Sequence, residues 1–160
     1  MKLLRRWTSE AIYRTWKAGA DAFFWYSLRD RAKGDGNWSD SDQSGLYFRA
    51  ISFADDRPKP ILQAYRFPFV AFADGRKGFH FWGRTPYGTR KPVVIKLNTG
   101  GKWRRLRTVR VDPSSGIFHG YIRARAGKLK RGLVSAEIPS SLSVPFSLKR
   151  VRDRPARPFG

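Results

Sequence analysis

Residues 21–28, Asp-Ala-Phe-Phe-Trp-Tyr-Ser-Leu, form an apolar and aromatic run bounded by charge, and no other segment restricts the fold as strongly. A half-buried strand alternates apolar and polar side chains, so an unbroken run predicts a strand buried on both faces, as in a parallel sheet. The residues just before it, Glu10-Ala-Ile-Tyr-Arg-Thr-Trp-Lys-Ala-Gly19, place Ile12 and Trp16 four apart. Thr8 or Ser9 can cap a first turn, Lys17 suits a last turn, and Gly19 supplies a C-terminal stop. The spacing predicts a helix over 9–19. Helix followed by buried strand, joined by two or three residues, is an α/β unit.

Beyond Arg29-Asp30 the chain becomes polar and Gly-rich through Gly45, a long loop at the C-terminal end of the expected strand, where α/β folds place their chemistry. Leu46–Arg49 is a short extended piece, and Pro60–Phe67 begins with Pro at a first helical position and stops before Pro68. From Phe79 the pattern is all-β, with strands expected at 79–83, 92–97, 103–111, 117–125, 133–138 and 144–148. Asn98-Thr-Gly-Gly101 and Asp112-Pro-Ser-Ser-Gly116 are turn signals between them. In the fifth-decade alternation of residues 117–125, Phe118, Ile122 and Ala124 share one face and His119, Tyr121, Arg123 and Arg125 the other. The expected fold class is α/β plus all-β: an αβα segment over 1–72, a small antiparallel β-sandwich over 76–149, and a basic, poorly ordered tail over 150–160.

Charge divides the chain along the same line. Residues 1–75 carry 12 basic and 9 acidic side chains, whereas 76–160 carry 21 basic and 3 acidic, most of the formal charge of +21. Such a half attracts polyanions, so nonspecific binding to them is expected at low salt. The absence of Cys removes disulfides, thiolate metal sites and cysteine nucleophiles. No stretch approaches the ~20 apolar residues that cross a bilayer, so no membrane partner is expected. Met1–Trp7 lacks the apolar core of a secretory signal.

In combination, Trp16-Lys-Ala-Gly, Ala22–Asp30, Ser44-Gly-Leu-Tyr-Phe48 and Arg57-Pro-Lys-Pro-Ile-Leu-Gln-Ala-Tyr-Arg-Phe-Pro-Phe69 resemble the C-terminal end of bacterial cellulase-like glycoside hydrolases with a (β/α)8 barrel. Phe81-Trp-Gly-Arg84, Trp103 and Gly116-Ile-Phe118 resemble the small β domain that often follows such barrels. The resemblance covers most of residues 7–148. It implies the helix before the last barrel strand at 9–19, that strand at 21–30 and the closing helix at 59–67, in an extracellular family that hydrolyses O-glycosyl bonds. With 160 residues the chain is short of a complete barrel at ~250. Retaining hydrolysis takes two carboxylates ~5–5.5 Å apart, glutamates at the ends of the fourth and seventh strands in this family. The only glutamates here are Glu10, expected in a first helical turn, and Glu137, in the β half. The expectation is a piece that is inactive alone, with an upstream barrel segment, or self-association through the exposed barrel half, as its partner.

Carbohydrate is the other expected partner. Trp25 and Trp38 offer flat rings for a sugar face and Asp30 stands near the expected active-site mouth; the plainer readings are a core aromatic for Trp25 and a strand-ending charge for Asp30. The competing function is a small basic β-rich module for nucleic acid or other polyanions, using Arg104, Arg105, Arg107, Arg123 and Arg125 interleaved with Trp103 and Tyr121. Against it, Arg123 and Arg125 alternate with Ile122 and Ala124 as a solvated sheet face requires. Asp40–Gly45 matches the first half of a calcium loop, but Ile51 stands where the bidentate Glu belongs, so a solvated loop is expected. Asn37-Trp-Ser39 fits a glycosylation acceptor, and Gly34-Asp-Gly36 is too short for a phosphate loop. His80 and His119 lack Cys or acidic partners in sequence, and neither a metal nor a cofactor is expected.

Overall fold

The computed structural model describes residues 2–31, 43–74, 77–86, 89–124 and 132–148. Two helices and ten strands occur in the order α1 (Lys2–Lys17), β1 (Tyr47–Phe48), β2 (Arg57–Pro58), α2 (Pro60–Arg66), β3 (Phe69–Asp74), β4 (Gly78–Arg84), β5 (Val93–Thr99), β6 (Lys102–Val109), β7 (Ile117–Arg123), β8 (Leu133–Ile138), β9 (Ser141–Leu142) and β10 (Phe146–Ser147). The fold is thus mixed, mostly antiparallel sheet with two helices. One sheet runs β10-β8-β5-β6 with β9 on β8, another runs β3-β4-β7, and β1 pairs β2.

The β half follows its sequence signals. Gly100 and Gly101 have φ of 74° and 90°, and Gly101 N–H donates to Asn98 Oδ1 at 3.0 Å, closing the β5–β6 hairpin. At the second turn Asp112 Oδ1 accepts from the backbone N–H of Ser114 and Ser115 and from the Ser114 hydroxyl, and Gly116 takes φ 72°. Those donors hold the Asp112 carboxyl at about 2, below the usual 3.8. A depressed folded-state pKa contributes stability that is present above the ordinary value and is lost as pH falls from about 4 through about 2. Carboxyl-carbon NMR is expected to find Asp112 titrating near the lower value, and Ser114→Ala to move it up. Titration at the ordinary value in the parent would contradict this turn geometry.

Phe118 and Ile122 are buried while His119 and Arg123 are exposed, as the alternation predicts. The central strand β4 carries Gly83 between Phe69 on β3 and Phe118 on β7, whose rings stack at 6.2 Å and 17°. A Cβ at Gly83 would lie 2.3 Å from the Phe118 ring, so the position takes no side chain. Val93, Ile95, Leu97, Val134, Ala136 and Phe146 of the other sheet belong to the same buried cluster. Strand β3 has no counterpart in the sequence reading; its Phe-Val-Ala-Phe run follows Pro68 directly and pairs with β4 along its whole length.

The N-terminal part departs from expectation in three ways. First, α1 begins at Lys2, seven residues before the predicted start. Thr8 and Ser9 are not caps but buried interior residues, and the Thr8 hydroxyl donates back to the Leu4 carbonyl at 2.9 Å. Glu10 accordingly lies mid-helix, ion-paired with Arg6 at 2.7 Å, and does not serve the first turn. The helix end is as predicted: Ala20 N–H bonds Thr15 O and Gly19 N–H bonds Trp16 O, with Gly19 at φ 89°.

Second, residues 21–30 are extended but are not a strand buried on both faces. They make one parallel bridge, Arg29 to Tyr47, and Phe24 and Tyr26 are 88% and 93% exposed. Only the face bearing Phe23 and Trp25 has cover, from Tyr65 of α2. The run is apolar on both faces, and among the described residues nothing covers the second. Third, the two ends of α1 differ: Ile12 and Tyr13 pack against the core, while in the first half Thr8, Ser9 and Glu10 are buried and Leu3, Leu4 and Trp7 are exposed. Helix α2 starts with Pro60 at its first position, as predicted. The expected tail and the 32–42 loop, with its calcium-like and glycosylation motifs, lie outside the described residues.

Candidate functional site

Three places hold chemistry-bearing side chains. At the end of the extended segment, Arg29 and Asp30 point into opposite networks. Asp30 is buried; its Oδ1 lies 2.5 Å from Lys59 Nζ and accepts the Gly45 N–H at 3.1 Å. Lys59 Nζ also donates to Gln43 O and lies 5.2 Å from the centre of the Phe48 ring. The close approach depends on Gly45, where a Cβ would fall 2.3 Å from the Arg29 carbonyl carbon. Arg29 Nη2 donates to Asp56 Oδ1 at 2.8 Å and to Ala50 O, with its guanidinium 3.8 Å from the Phe53 ring centre. That hydrogen bond, seconded by the Ala50 N–H, holds the Asp56 carboxyl below its ordinary range. Both acids are therefore committed to the chain itself, and Asp30 tethers the segment to the 43–59 loop instead of facing a cleft. Trp25 is half-buried, with its ring edge-on to Tyr65 at 6.1 Å and its indole N–H bonded to Ser44 O at 2.7 Å. It packs as a partly exposed aromatic with both faces of its role, cover and contact, set by α2. Trp38 lies outside the described residues.

The basic ribbon is the second place. Arg104, Arg105 and Arg107 stand on β6, which among the described residues pairs only with β5 and is exposed along nearly its whole length. Arg105 bonds Thr108, and Arg107 donates to Tyr121 O at 3.2 Å. Arg123 belongs to the other sheet, at the far end of β7, and Arg125 lies outside the described residues. Through the Tyr121 carbonyl, Arg107 links β6 to the strand that ends at Arg123. Charged side chains on an edge strand also block pairing with other chains, which accounts for β6 without a ligand. Glu137, the second glutamate, pairs with Lys96 on the neighbouring strand.

The third place was not foreseen. Register puts Phe72, His80 and Tyr121 in one row across β3, β4 and β7, and Val70, Trp82 and His119 in the next, all on one sheet face. Helix α1 covers part of that face: Tyr13 packs on Phe72 and Trp82 at 5.5 and 5.4 Å, and Trp16 on Trp82 at 5.2 Å. Beside the helix a groove of about 810 Å³ remains, floored by the His80–Tyr121 ring pair (4.8 Å) and His119, with Arg14 and Lys17 at its rim. Sequence separation hid this site, since Trp16 and His119 are brought together only by the packing of α1 on the sheet. The period-2 alternation around His119 and Tyr121 was its one available signal.

Among the described residues no cluster of His, Asp or Glu is placed to hold a metal ion, and no helix is long and apolar enough to cross a membrane. No protein-family model, curated protein or solved structure matches the chain.

Proposed function

We propose that this chain is the C-terminal part of a cellulase-like glycoside hydrolase: the last αβα portion of a (β/α)8 barrel followed by a small antiparallel β-sandwich, inactive alone. The observation that carries the reading is the one-sided extended segment. Phe24, Tyr26 and Leu28 are exposed along one edge, and Leu3, Leu4 and Trp7 are exposed in the first half of α1. Parallel strands of α/β folds are covered on both faces, so these stripes suit an element whose neighbouring strands and helices come from elsewhere in a barrel. The catalytic pair would come from those neighbours too, because Glu10 and Glu137 are engaged with Arg6 and Lys96 on separate elements. Hydrolysis belongs to the assembled parent, and the barrel-like strand of this chain contributes aromatics such as Trp25 to glycan contact.

Uncovered apolar stripes of this kind favour association. Sedimentation of the purified chain is expected to show self-association, and Phe24→Ser/Tyr26→Ser/Leu28→Ser to shift it to monomer without loss of cooperative unfolding. A parent chain that is a monodisperse monomer at high concentration would count against the reading.

The exposed arginines of β6 favour a second reading, a polyanion-binding module. Binding to duplex and single-stranded oligonucleotides is expected at low salt and is expected to collapse at physiological salt. Binding that survives, beyond that of a charge-matched polyanion, would promote this second reading over the first.

A further inference from the structure

We infer that the groove between α1 and the β3-β4-β7 sheet is a binding site for a carboxylate-bearing oligosaccharide, a chain of uronate sugars. It uses none of residues 20–67, so it does not depend on whether the 21–30 segment is a barrel strand, although Tyr13–Lys17 belong to the helix that precedes it.

The chemistry of the lining selects the ligand. Trp16 is 39% exposed, on the groove side of a packed trio with Tyr13 and Trp82, and supplies an apolar ring for the CH face of a sugar. His80 and Tyr121 continue the aromatic floor. No carboxylate and no side-chain amide lines the groove, whereas Arg14 and Lys17 stand at its rim. Neutral sugars present hydroxyls that both donate and accept, and a site for them needs acceptors as well as donors. The His and Tyr side chains here can accept as well as donate, but the charged groups of the described lining, Arg14 and Lys17, are both cations, and carboxylates are acceptors that charged donors bind well.

Charge placement separates a uronate chain from a nucleic acid. Among the described residues that line the groove the permanent cations are Arg14 and Lys17, both in the last turn of α1, a local pair that matches one or two carboxylates better than a run of phosphates. Arg107, the nearest arginine of β6 to this face, is engaged with the Tyr121 carbonyl. The rings are also splayed, with Trp16 and Trp82 at 33° and His80 and Tyr121 at 51°. A concave wall of tilted rings suits successive puckered sugars, whereas stacked bases need near-parallel platforms. Trp82 is buried, and its indole N–H has no acceptor among the described residues. An unpaired polar atom in the wall is a cost that ligand sites carry more often than plain packing does.

The test is titration of the full chain with trigalacturonate, followed by calorimetry and tryptophan fluorescence at physiological salt. Cellotriose serves as the neutral arm and a single-stranded oligonucleotide as the nucleic-acid arm. Trigalacturonate is expected to bind about tenfold or more tighter than cellotriose. Trp16→Ala and Arg14→Gln/Lys17→Gln are each expected to weaken it by about tenfold, while Arg104→Gln/Arg105→Gln on β6 leaves it unchanged. Thermal melts check folding; if Trp16→Ala unfolds, the exposed Arg14/Lys17 pair decides alone. Equal affinity for cellotriose overturns the proposal, as does no binding at physiological salt. Loss of binding in the β6 variant alone would assign the effect to diffuse charge, and tighter oligonucleotide binding lost in Trp16→Ala would make the groove a nucleic-acid site; either refutes it.

Discussion

Phe118→Ala is expected to lower the stability of the folded chain by about 3–5 kcal/mol, the usual cost of deleting a buried phenyl ring. Phe118 is 1% exposed, and its ring meets those of Phe67, Phe69 and Phe81 with centroids 6.2–6.4 Å apart. It also fills the space beside Gly83 on the adjacent strand, so truncation opens a cavity that Gly83 has no side chain to fill. At this chain length the loss corresponds to a fall in Tm of roughly 6–20 °C. Thermal and denaturant unfolding measure it. Gly83→Ala presses on the same ring from the opposite side and is expected to cost less, about 1–3 kcal/mol, because the ring can shift. A change under about 1 kcal/mol for Phe118→Ala would mean that the three-stranded sheet does not close over this cluster.

Asp30→Ala is expected to cost on the order of 3 kcal/mol, since it strands the Lys59 ammonium in a site where both side chains are largely buried. The figure sits at the low end of the range because Lys59 keeps its bond to Gln43 O and can extend toward solvent. Asp30→Ala/Lys59→Met is expected to recover part of the loss by removing the orphaned charge, and denaturant unfolding of the two singles and the double gives the coupling. A smaller cost for Asp30→Asn fits as well, because the amide oxygen still accepts the Gly45 N–H. An Asp30→Ala variant as stable as the parent would free this carboxylate for a role at a cleft.

What the sequence made legible were features fixed locally. The Asn98–Gly101 and Asp112–Gly116 turns are specified by residues within four positions of each other, and the alternation of 117–123 sorts itself onto two faces. Pro60 and Gly19 mark a helix start and a helix stop through their own backbone preferences. Features built from distant residues stayed hidden. Thr8 and Ser9 look like caps until Leu4 is seen to be helical, and Lys59 reaches Asp30 across 29 positions. The run at 21–28 shows why apolar content alone does not establish burial: it says that both faces seek cover, and only Tyr65 and its surroundings provide any. The groove is the extreme case. Ile12 and Trp16 read as one face of a short helix, and His119 and Tyr121 as one face of a strand; the groove lies where that helix and that sheet meet.

Sequencing the genomic locus and the transcript around the Met1 codon tests the glycoside hydrolase reading at its root. The expected result is an in-frame, or single-base-shifted, continuation that encodes alternating strands and helices with an Asn-Glu pair and, later, a lone Glu. These would supply the two carboxylates and the cover that Phe24, Tyr26 and Leu28 lack. An unrelated promoter region with no such coding sequence would contradict it and leave the basic β-rich module as the better description.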